Sequence, residues 1–544
     1  MKVLVIGGVA AGTKAAAKLK RELGDNAEIL ILTKGEHISY AGCGLPYYVG
    51  DLIHEESELI VNTPEDYAKL TGVEVRCGME AVKLDRASKT VTAKDLSSGT
   101  ESAFPYDKLI LACGADPVRP PIPGIDLEGV YFMRTPADAV KLRGAVEAGA
   151  KRAVVVGGGF IGLEIAENLL HQGLRVSVVE MAPHTMPGFD PDFTDFVENH
   201  LGDAGITLFT GDGVTAIEGE GKVAKLRTGR RNIKTDIVVM SVGIRANTAW
   251  LADTGLEFAP NKTLVVDEHM RTLDPDVFAV GDCCFIRNRL TKQPAYSPMG
   301  SSANIEGRLC AKFIGGSCDR PYAGVLGTTV VKLPGINAGK TGISAEAAKE
   351  AGFDPVCVTV STDDKAHYFP GADAFTIRLV ADRGSRKLLG LQVMGPGAVD
   401  KIVDIAVTAI SLGATLEQLE NLDFAYAPPF STAIHPFAVA LTAMQNKLAG
   451  ELEGGTYDEA MAKCSDWIML DVGKTPGLPQ LRYCAVGDIN GPLEGITTDA
   501  SVLLICLKGK NSYLAQNRLK RYGYTNTFVL EGGLTLYKYR EFNP

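Results

Sequence analysis

Two cysteines far apart in the chain carry the patterns best suited to chemistry. Cys43 lies in Ser39-Tyr40-Ala41-Gly42-Cys43-Gly44-Leu45-Pro46-Tyr47-Tyr48, with no second cysteine two or four residues away. Cys506 opens Cys506-Leu507-Lys508-Gly509-Lys510-Asn511-Ser512, directly after the apolar run Leu503-Leu504-Ile505. A cysteine acts on sulfur as its thiolate, attacking a sulfur–sulfur bond and holding the half it captures. At a strand end, the N–H groups of the following loop and the N-terminus of the next helix would lower a thiol pKa, which suits a cysteine that stores sulfane sulfur. The residue types therefore predict attack on sulfur–sulfur bonds at Cys43 and sulfur carriage at Cys506. The bland alternative for Cys506 is a buried packing cysteine.

The elements that position Cys43 begin at the first residues. Val3-Leu4-Val5-Ile6 reads as a buried strand, Gly7-Gly8-Val9-Ala10-Ala11-Gly12 as the turn after it, and Ala15 to Leu23 as a helix leading to the strand Glu28-Ile29-Leu30-Ile31-Leu32. This is the βαβ start of a dinucleotide-binding fold, with Val9 at the middle position of GxGxxG. A lone cysteine shortly after such a fingerprint suggests a thiol linked to a flavin, so Gly7, Gly8, Ala10, Ala11 and Gly12 are expected at FAD. The pattern returns more cleanly in Arg152 to Val156, Gly157-Gly158-Gly159-Phe160-Ile161-Gly162, a helix through Leu170, and the strand Arg175 to Val179. Glu180 follows, 23 positions after Gly157. A carboxylate there accepts hydrogen bonds from both ribose hydroxyls and repels a 2′-phosphate, favouring NADH, with NADPH possible. Gly157, Gly159, Phe160, Ile161, Gly162, Glu180 and Gly243 are the expected nicotinamide-nucleotide residues. Cys113 and Gly114 after one strand, Gly281 and Asp282 after another, and Ser301 and Ala303 on a following helix are expected around the flavin, with Asp282 at the ribityl chain. Cys283, Cys284 and Cys113 read as small packing residues.

The rest of the chain bounds the class. The 544 residues imply three or four domains. The formal charge of −10 does not favour nucleic acid or an anionic membrane. No apolar run approaches the ~20 residues of a membrane span. The opening apolar run is too short for a signal core. The eleven cysteines are scattered without a CxxC pair, which points to the reducing cytoplasm. The eight histidines form no HxxxH or HxxE cluster, so no metal site is expected. His435 is either a proton source near the flavin or a surface histidine. From about Tyr322 the texture turns to alternating strands and an apolar-faced helix, Val399 to Ile410. Beyond a linker at 448–454, three short apolar strands suggest a small parallel-sheet domain. Cys464 and Cys484 there are further candidates for sulfur relay.

These motifs together resemble a family. Residues 1 to about 447 resemble the single-cysteine branch of the pyridine nucleotide–disulfide oxidoreductases, above all the coenzyme A disulfide reductases, and residues 455–544 resemble a rhodanese domain. The whole chain is similar to fusions of the two, some of which act as NADH-dependent persulfide or polysulfide reductases. Ser39 and Cys43 through Tyr47, His367-Tyr368-Phe369-Pro370-Gly371, and Ala425-Tyr426-Ala427-Pro428-Pro429-Phe430-Ser431 carry the match. The resemblance implies an α/β protein. An FAD-binding domain (1–118 and 244–322) and a nicotinamide-nucleotide domain (119–243) would be followed by an α+β dimerisation domain (323–447) and a rhodanese-like domain (455–544). It implies a homodimer in which Tyr368 and Tyr426 reach the partner's redox cysteine. It also implies coenzyme A as substrate or ligand, near Ser39, Gly42, Lys18, Lys20, Arg21 and Asn62, and adenosine-end FAD contacts at Thr33 and Lys34. Several positions depart from the family pattern. Thr33 replaces the ribose-binding acid, Gly42 an asparagine, Asn62 a basic residue, Gly473 an arginine, and Asn511 the arginine of the sulfur-carrying loop.

The expected function is FAD-dependent, NAD(P)H-driven reduction of sulfur–sulfur bonds in coenzyme A persulfide, polysulfide or coenzyme A disulfide. One alternative is an NADH oxidase or peroxidase; Ala10 stands where peroxidase relatives carry histidine. Another is a non-catalytic sulfur-carrier or redox-sensing module.

Overall fold

The computed structural model describes residues 1–463 and 467–542; Cys464 lies outside them. The chain forms two compact units, residues 1–183 with 205–325, and residues 184–204 with 326–544.

The first unit holds two parallel sheets built by the same local rule. In the first, strands run in the order Val277–Ala279, Lys108–Leu111, Lys2–Ile6, Glu28–Leu32, Glu74–Arg76. In the second the order is Thr207–Phe209, Arg175–Val179, Arg152–Val156, Ile237–Met240, Val130–Tyr131. The central strands are buried on both faces, which is why they read as continuous apolar runs. Each sheet feeds a glycine turn and then a helix, Ala10–Leu23 or Phe160–His171.

The two turns obey the same steric logic. Gly7 (φ +111°) and Gly157 (φ +109°) hold left-handed conformations, and a Cβ would lie 2.0 Å from the Ala112 carbonyl oxygen and 2.2 Å from that of Ser241. Gly12 and Gly162 let the helix close on the turn; a Cβ on either would meet the Gly7 or Gly157 carbonyl oxygen at 1.9 or 2.1 Å. The first helix begins at Ala10, five residues before the expected start, because Ala10 and Ala11 enter helical conformation as soon as the turn is complete.

The second unit contains an antiparallel sheet in the order Thr329–Leu333, Ile336–Gly342, Leu388–Gly395, Ala374–Asp382, Pro355–Asp363. Helices Val399–Leu412 and Pro436–Leu448 pack on it. A five-stranded parallel sheet follows, ordered Gly454–Gly455, Thr527–Leu530, Val502–Ile505, Ile468–Asp471, Arg482–Tyr483. The C-terminal domain is bonded to the antiparallel sheet. Buried Glu531 accepts from the Thr359 N–H (2.9 Å) and from Lys447 (2.6 Å), and Ser361 donates to the Gly532 carbonyl (2.8 Å).

Within the span expected for the nicotinamide-nucleotide domain, 119–243, residues 184–204 group with the second unit instead. A buried cation is among their ties to that unit. The Arg378 guanidinium donates to Asp190 (2.8 Å) and Asp192 (2.6 Å) at the start of helix Pro191–Asp203, and to the Thr359 hydroxyl (2.8 Å). The Tyr537 hydroxyl adds a fourth bond, to Asp192 (2.8 Å).

Candidate active site

Cys43 sits in a short turn, Gly42–Gly44, that leads into the helix Leu45–Val49, and it is exposed. The turn is tied to the nucleotide fingerprint: the Ser39 N–H donates to the Gly8 carbonyl at 2.9 Å, with Ser39 itself at φ 49°. The far side is held by the second nucleotide domain. Arg143 donates to the carbonyls of Tyr48 (3.1 Å) and Ile53 (3.2 Å), and Gln172 to that of Gly50 (2.8 Å). Gly50 has no room for a Cβ, which would fall 2.0 Å from the Asn168 side-chain oxygen.

The electrostatics around Cys43 involve Asp282, expected at the flavin, and two residues that no motif marks, Glu164 and Arg134. Although Cys43 is open to solvent, the protein packed around its thiol partly desolvates it and pushes its pKa up, the charges of Glu164 and Asp282 push it further, and Arg134 opposes them. Arg134 is paired with Asp282 at 2.7 Å. Glu164, on helix Phe160–His171, accepts from the Tyr47 hydroxyl at 3.3 Å, and burial raises its carboxyl to about 7, with the nearby Glu167 charge adding to the shift. A signal for Glu164 is present in the sequence. It is a charged residue inside the apolar stretch Phe160-Ile161-Gly162-Leu163-Glu164-Ile165-Ala166, where leucine or alanine would continue the pattern.

The residues expected to hold nucleotides fit phosphate groups. Neither fingerprint helix has a side-chain cap: Val9 and Gly159 occupy the N-cap positions without a capping hydrogen bond. Their first N–H groups and the positive end of the helix dipole remain for a pyrophosphate. Gly281 (φ +77°) approaches Ala11 so closely that a Cβ would lie 3.0 Å from the Ala11 Cβ. Ala303 is buried and Ser301 exposed on helix Gly300–Ile314. Gly114 (φ +65°) and Cys113 form the turn after Lys108–Leu111, and Asn247 donates to the Cys113 carbonyl at 3.2 Å. The neighbouring Cys283 and burial raise the Cys113 thiol well above its usual range.

Thr33 is buried and Lys34 is paired with Glu80 at 2.7 Å, so neither supplies a ribose-binding acid. In the second site the Glu180 carboxylate accepts from the N–H groups of Gly158 and Ala182, both at 2.6 Å, and so stands beside the glycine turn. Phe160 and Ile161 open the helix there, with Ile161 exposed, and Gly243 (φ +105°) is exposed after strand Ile237–Met240.

Of the expected substrate contacts, Ser39 and Asn62 meet, with the Asn62 amide donating to the Ser39 hydroxyl at 3.4 Å. Gly42 is exposed, and a Cβ there would have the Tyr40 ring edge as its nearest neighbour, at 3.9 Å. Lys18 is engaged with Glu22, and Lys20 with the Ala27 carbonyl (3.2 Å) and Asp25 (3.7 Å); Arg21 is exposed.

In the second unit, Tyr368 and Tyr426 are neighbours, and interaction with Tyr426 raises the Tyr368 hydroxyl above the usual phenol range. Their two loops are joined where the Ala366 N–H donates to the Pro428 carbonyl (3.3 Å). Both tyrosines are exposed, at 67% and 51%, in company with Phe430 (71%) and Ile434 (67%), a surface too apolar for solvent alone. His435 corrects both of its expected roles. It is buried, stacks on Phe424 at 4.5 Å, and its Nδ1 accepts from the Phe437 N–H at 3.2 Å. Burial, with the Lys401 charge, lowers its pKa to about 4, so it is a neutral helix cap and not a proton source.

Cys506 ends strand Val502–Ile505, and its Sγ accepts from the Ser512 N–H at 3.4 Å at the start of helix Lys510–Arg521. The expected cradle of successive N–H groups is thus represented by one. Only 3% of Cys506 is exposed. The segment at Gly533 lies over it: Leu534 donates to the Cys506 carbonyl (3.0 Å), and a Cβ at Gly533 would lie 2.4 Å from that oxygen. Lys508 is paired with Asp363 at the end of strand Pro355–Asp363. At Gly473, Asp471 takes over the loop, accepting from the N–H groups of Gly473 (2.9 Å) and Gly477 (2.7 Å). Burial raises the Cys484 thiol.

Two tandem dinucleotide folds, with the exposed Cys43 turn bonded to both, define a nucleotide-dependent oxidoreductase of the two-domain type. Matches to family models specify it further. Residues 1–301 match the pyridine nucleotide-disulphide oxidoreductase model and residues 329–438 the dimerisation domain of the same family. The chain belongs to the pyridine nucleotide-disulphide oxidoreductase family, whose members use FAD and NAD(P)H.

An NADH oxidase of Methanocaldococcus jannaschii is 32% identical over 83% of this chain and 100% of its own length. The NAD(P)H coenzyme A polysulfide/persulfide reductase of Pyrococcus horikoshii is 31% identical over 80% of this chain and 97% of its own. The solved structure of an NAD-dependent persulfide reductase from A. fulgidus superposes with a TM-score of 0.93 at 35% identity, covering 99% of this chain and 100% of that one.

Proposed function

We propose that this protein is an FAD-dependent, NADH-driven reductase of sulfur–sulfur bonds, acting on coenzyme A persulfide, polysulfide or coenzyme A disulfide through Cys43. The observation that carries the reading is the placement of one free, exposed cysteine in a turn bonded directly to the first nucleotide fingerprint. The A. fulgidus persulfide reductase, alike over nearly the whole chain, supports it.

Bound FAD would carry two electrons from reduced nicotinamide to sulfur. The chain's own residues do the rest. The Cys43 thiolate attacks a persulfide RS–SH at the inner sulfur. A Cys43–S–S–R bond forms, the S–SH bond breaks, and hydrosulfide leaves with the electron pair. Two electrons and a proton then return Cys43 as thiolate and release RSH. Glu164 holds a proton beside this site near neutral pH and, once protonated, no longer opposes the thiolate. Glu180, hydrogen-bonded over the glycine turn, favours the unphosphorylated ribose of NADH.

In a homodimer, the neighbouring hydroxyls of Tyr368 and Tyr426 would donate to the leaving sulfur of the other copy's site. The C-terminal domain is read as rhodanese-like, with Cys506 holding sulfane sulfur. Coenzyme A would lie by Ser39 and Asn62, with Arg21 the basic side chain available to its phosphates.

Anaerobic NADH oxidation with coenzyme A persulfide and coenzyme A disulfide, beside oxygen consumption in air, tests the reading. Turnover with either sulfur acceptor that vanishes in Cys43→Ser is expected. Turnover with oxygen alone would replace the proposal with the oxidase reading, which the M. jannaschii relative favours.

A further inference from the structure

We propose that His184, Asp195 and Glu198 bind a first-row divalent cation, with zinc the best match. Asp195 and Glu198 stand three residues apart on helix Pro191–Asp203 and so share one face. The loop before the helix returns His184 to that face. One donor atom from each of the three lies within 4.8 Å of the others. His184 Nδ1 is 3.5 Å from Asp195 Oδ1 and 3.6 Å from Glu198 Oε2.

Donors held about 2.0–2.1 Å from a tetrahedral zinc sit roughly 3.3–3.4 Å apart, close to this spacing. A plain hydrogen-bonded ion pair fits less well. An imidazolium N–H donating to a carboxylate closes to about 2.7–3.2 Å. Here Nδ1 is shielded from solvent and makes no hydrogen bond at all.

The outer contacts divide each carboxylate in two. Glu198 Oε1 accepts from the Thr185 N–H at 2.6 Å, leaving Oε2 turned to His184. Asp195 Oδ2 is bonded by the Arg540 guanidinium, leaving Oδ1 turned to His184. Fixing one oxygen of a carboxylate to orient the other is how second contacts prepare metal ligands. The side chains of His184 (39% exposed), Asp195 (26%) and Glu198 (16%) lie near the surface, with the Nδ1 atom itself covered. Three protein ligands leave a fourth position for water, and an imidazole-plus-carboxylate set suits zinc better than a soft cation such as Cu(I). The cation would staple the loop to the helix and, through Arg540, to the C-terminal segment. Histidine spacing hides such a site, because His184 precedes Asp195 by eleven residues.

The test uses the full-length, FAD-loaded protein, stripped with a chelator and titrated with zinc chloride, with bound metal counted by mass spectrometry and melting followed in parallel. Wild type is expected to bind one zinc more per chain than His184→Ala or Glu198→Gln, and zinc is expected to raise the melting temperature of wild type alone. Glu198→Gln keeps an acceptor for Thr185 and serves if His184→Ala does not fold. Zinc adhering to cysteines is common to all three proteins and cancels. Equal zinc in wild type and variants, or none in wild type, overturns the proposal.

Discussion

At the scale of single residues, the pairing of Cys43 with Glu164 makes the sharpest claims. Glu164 titrates at about 7 when folded against 4.5 when free. Between those values the folded protein holds a proton that the unfolded chain has released. Stability therefore falls as pH rises from about 4.5 to about 7, by on the order of 3 kcal/mol for this group. Glu164→Gln keeps a hydrogen-bond acceptor for Tyr47 and removes the ionisation. Its melting temperature should match wild type in mild acid and exceed it above neutrality; parallel pH curves would refute the assignment. The same change removes a negative charge that opposes the Cys43 thiolate. Iodoacetamide should then alkylate Cys43 faster at neutral pH in Glu164→Gln than in wild type, as followed by mass spectrometry of the Cys43 peptide. An unchanged rate would show that Glu164 does not govern the thiol.

At the scale of elements, what is local in sequence was legible and what is distant was not. Both fingerprint turns were readable because Gly12 and Gly162 meet the carbonyl oxygens of Gly7 and Gly157 only five residues back, and because Gly7 and Gly157 hold left-handed backbone that favours glycine in any surroundings. The strands before them were readable because burial on both faces makes them apolar throughout. Helix Pro191–Asp203 was not, because the residues that bond it to the second unit, Arg378 and Arg540 among them, lie almost two hundred residues or more away. Glu164 escaped notice for a related reason. A carboxylate in a helix means little until Tyr47 and Cys43 are folded against it.

The Arg378 cluster yields the prediction at this scale. Removing one partner of a buried ion pair strands the others, at about 3–5 kcal/mol. Arg378→Ala leaves Asp190 and Asp192 without their cation, so urea unfolding should register a loss of that size. Limited proteolysis should cut first between 184 and 204. Wild-type stability and cleavage pattern in Arg378→Ala would mean that the helix is held by its apolar face, through Phe193, Val197 and Leu201, and by its other bonds, such as Arg540 to Asp195.

For the whole molecule, the question is how a buried Cys506 gains access to sulfur. The substrates proposed are small and diffusible and the thiol is buried, so access is a matter of opening the chain around it. The segment over Cys506 is anchored just upstream by Glu531, whose carboxylate takes the Thr359 N–H and the Lys447 ammonium. Hydrogen bonds to a charged group contribute about 1.5–3 kcal/mol each, and every 1.4 kcal/mol changes the open population about tenfold. In wild type, Cys43 should react with N-ethylmaleimide well before Cys506, since one is exposed and the other is not. Glu531→Ala removes both bonds and should raise labelling of Cys506 by about a hundred- to ten-thousandfold and leave Cys43 labelling unchanged, because Thr359 and Lys447, which Glu531 anchors, belong with it to the second unit and Cys43 to the first. Glu531→Gln, neutral but still an acceptor, should fall between the two. If Cys506 labels at the wild-type rate in both variants, the cover opens elsewhere, at the Lys508–Asp363 pair, and Lys508→Ala becomes the variant that exposes the thiol.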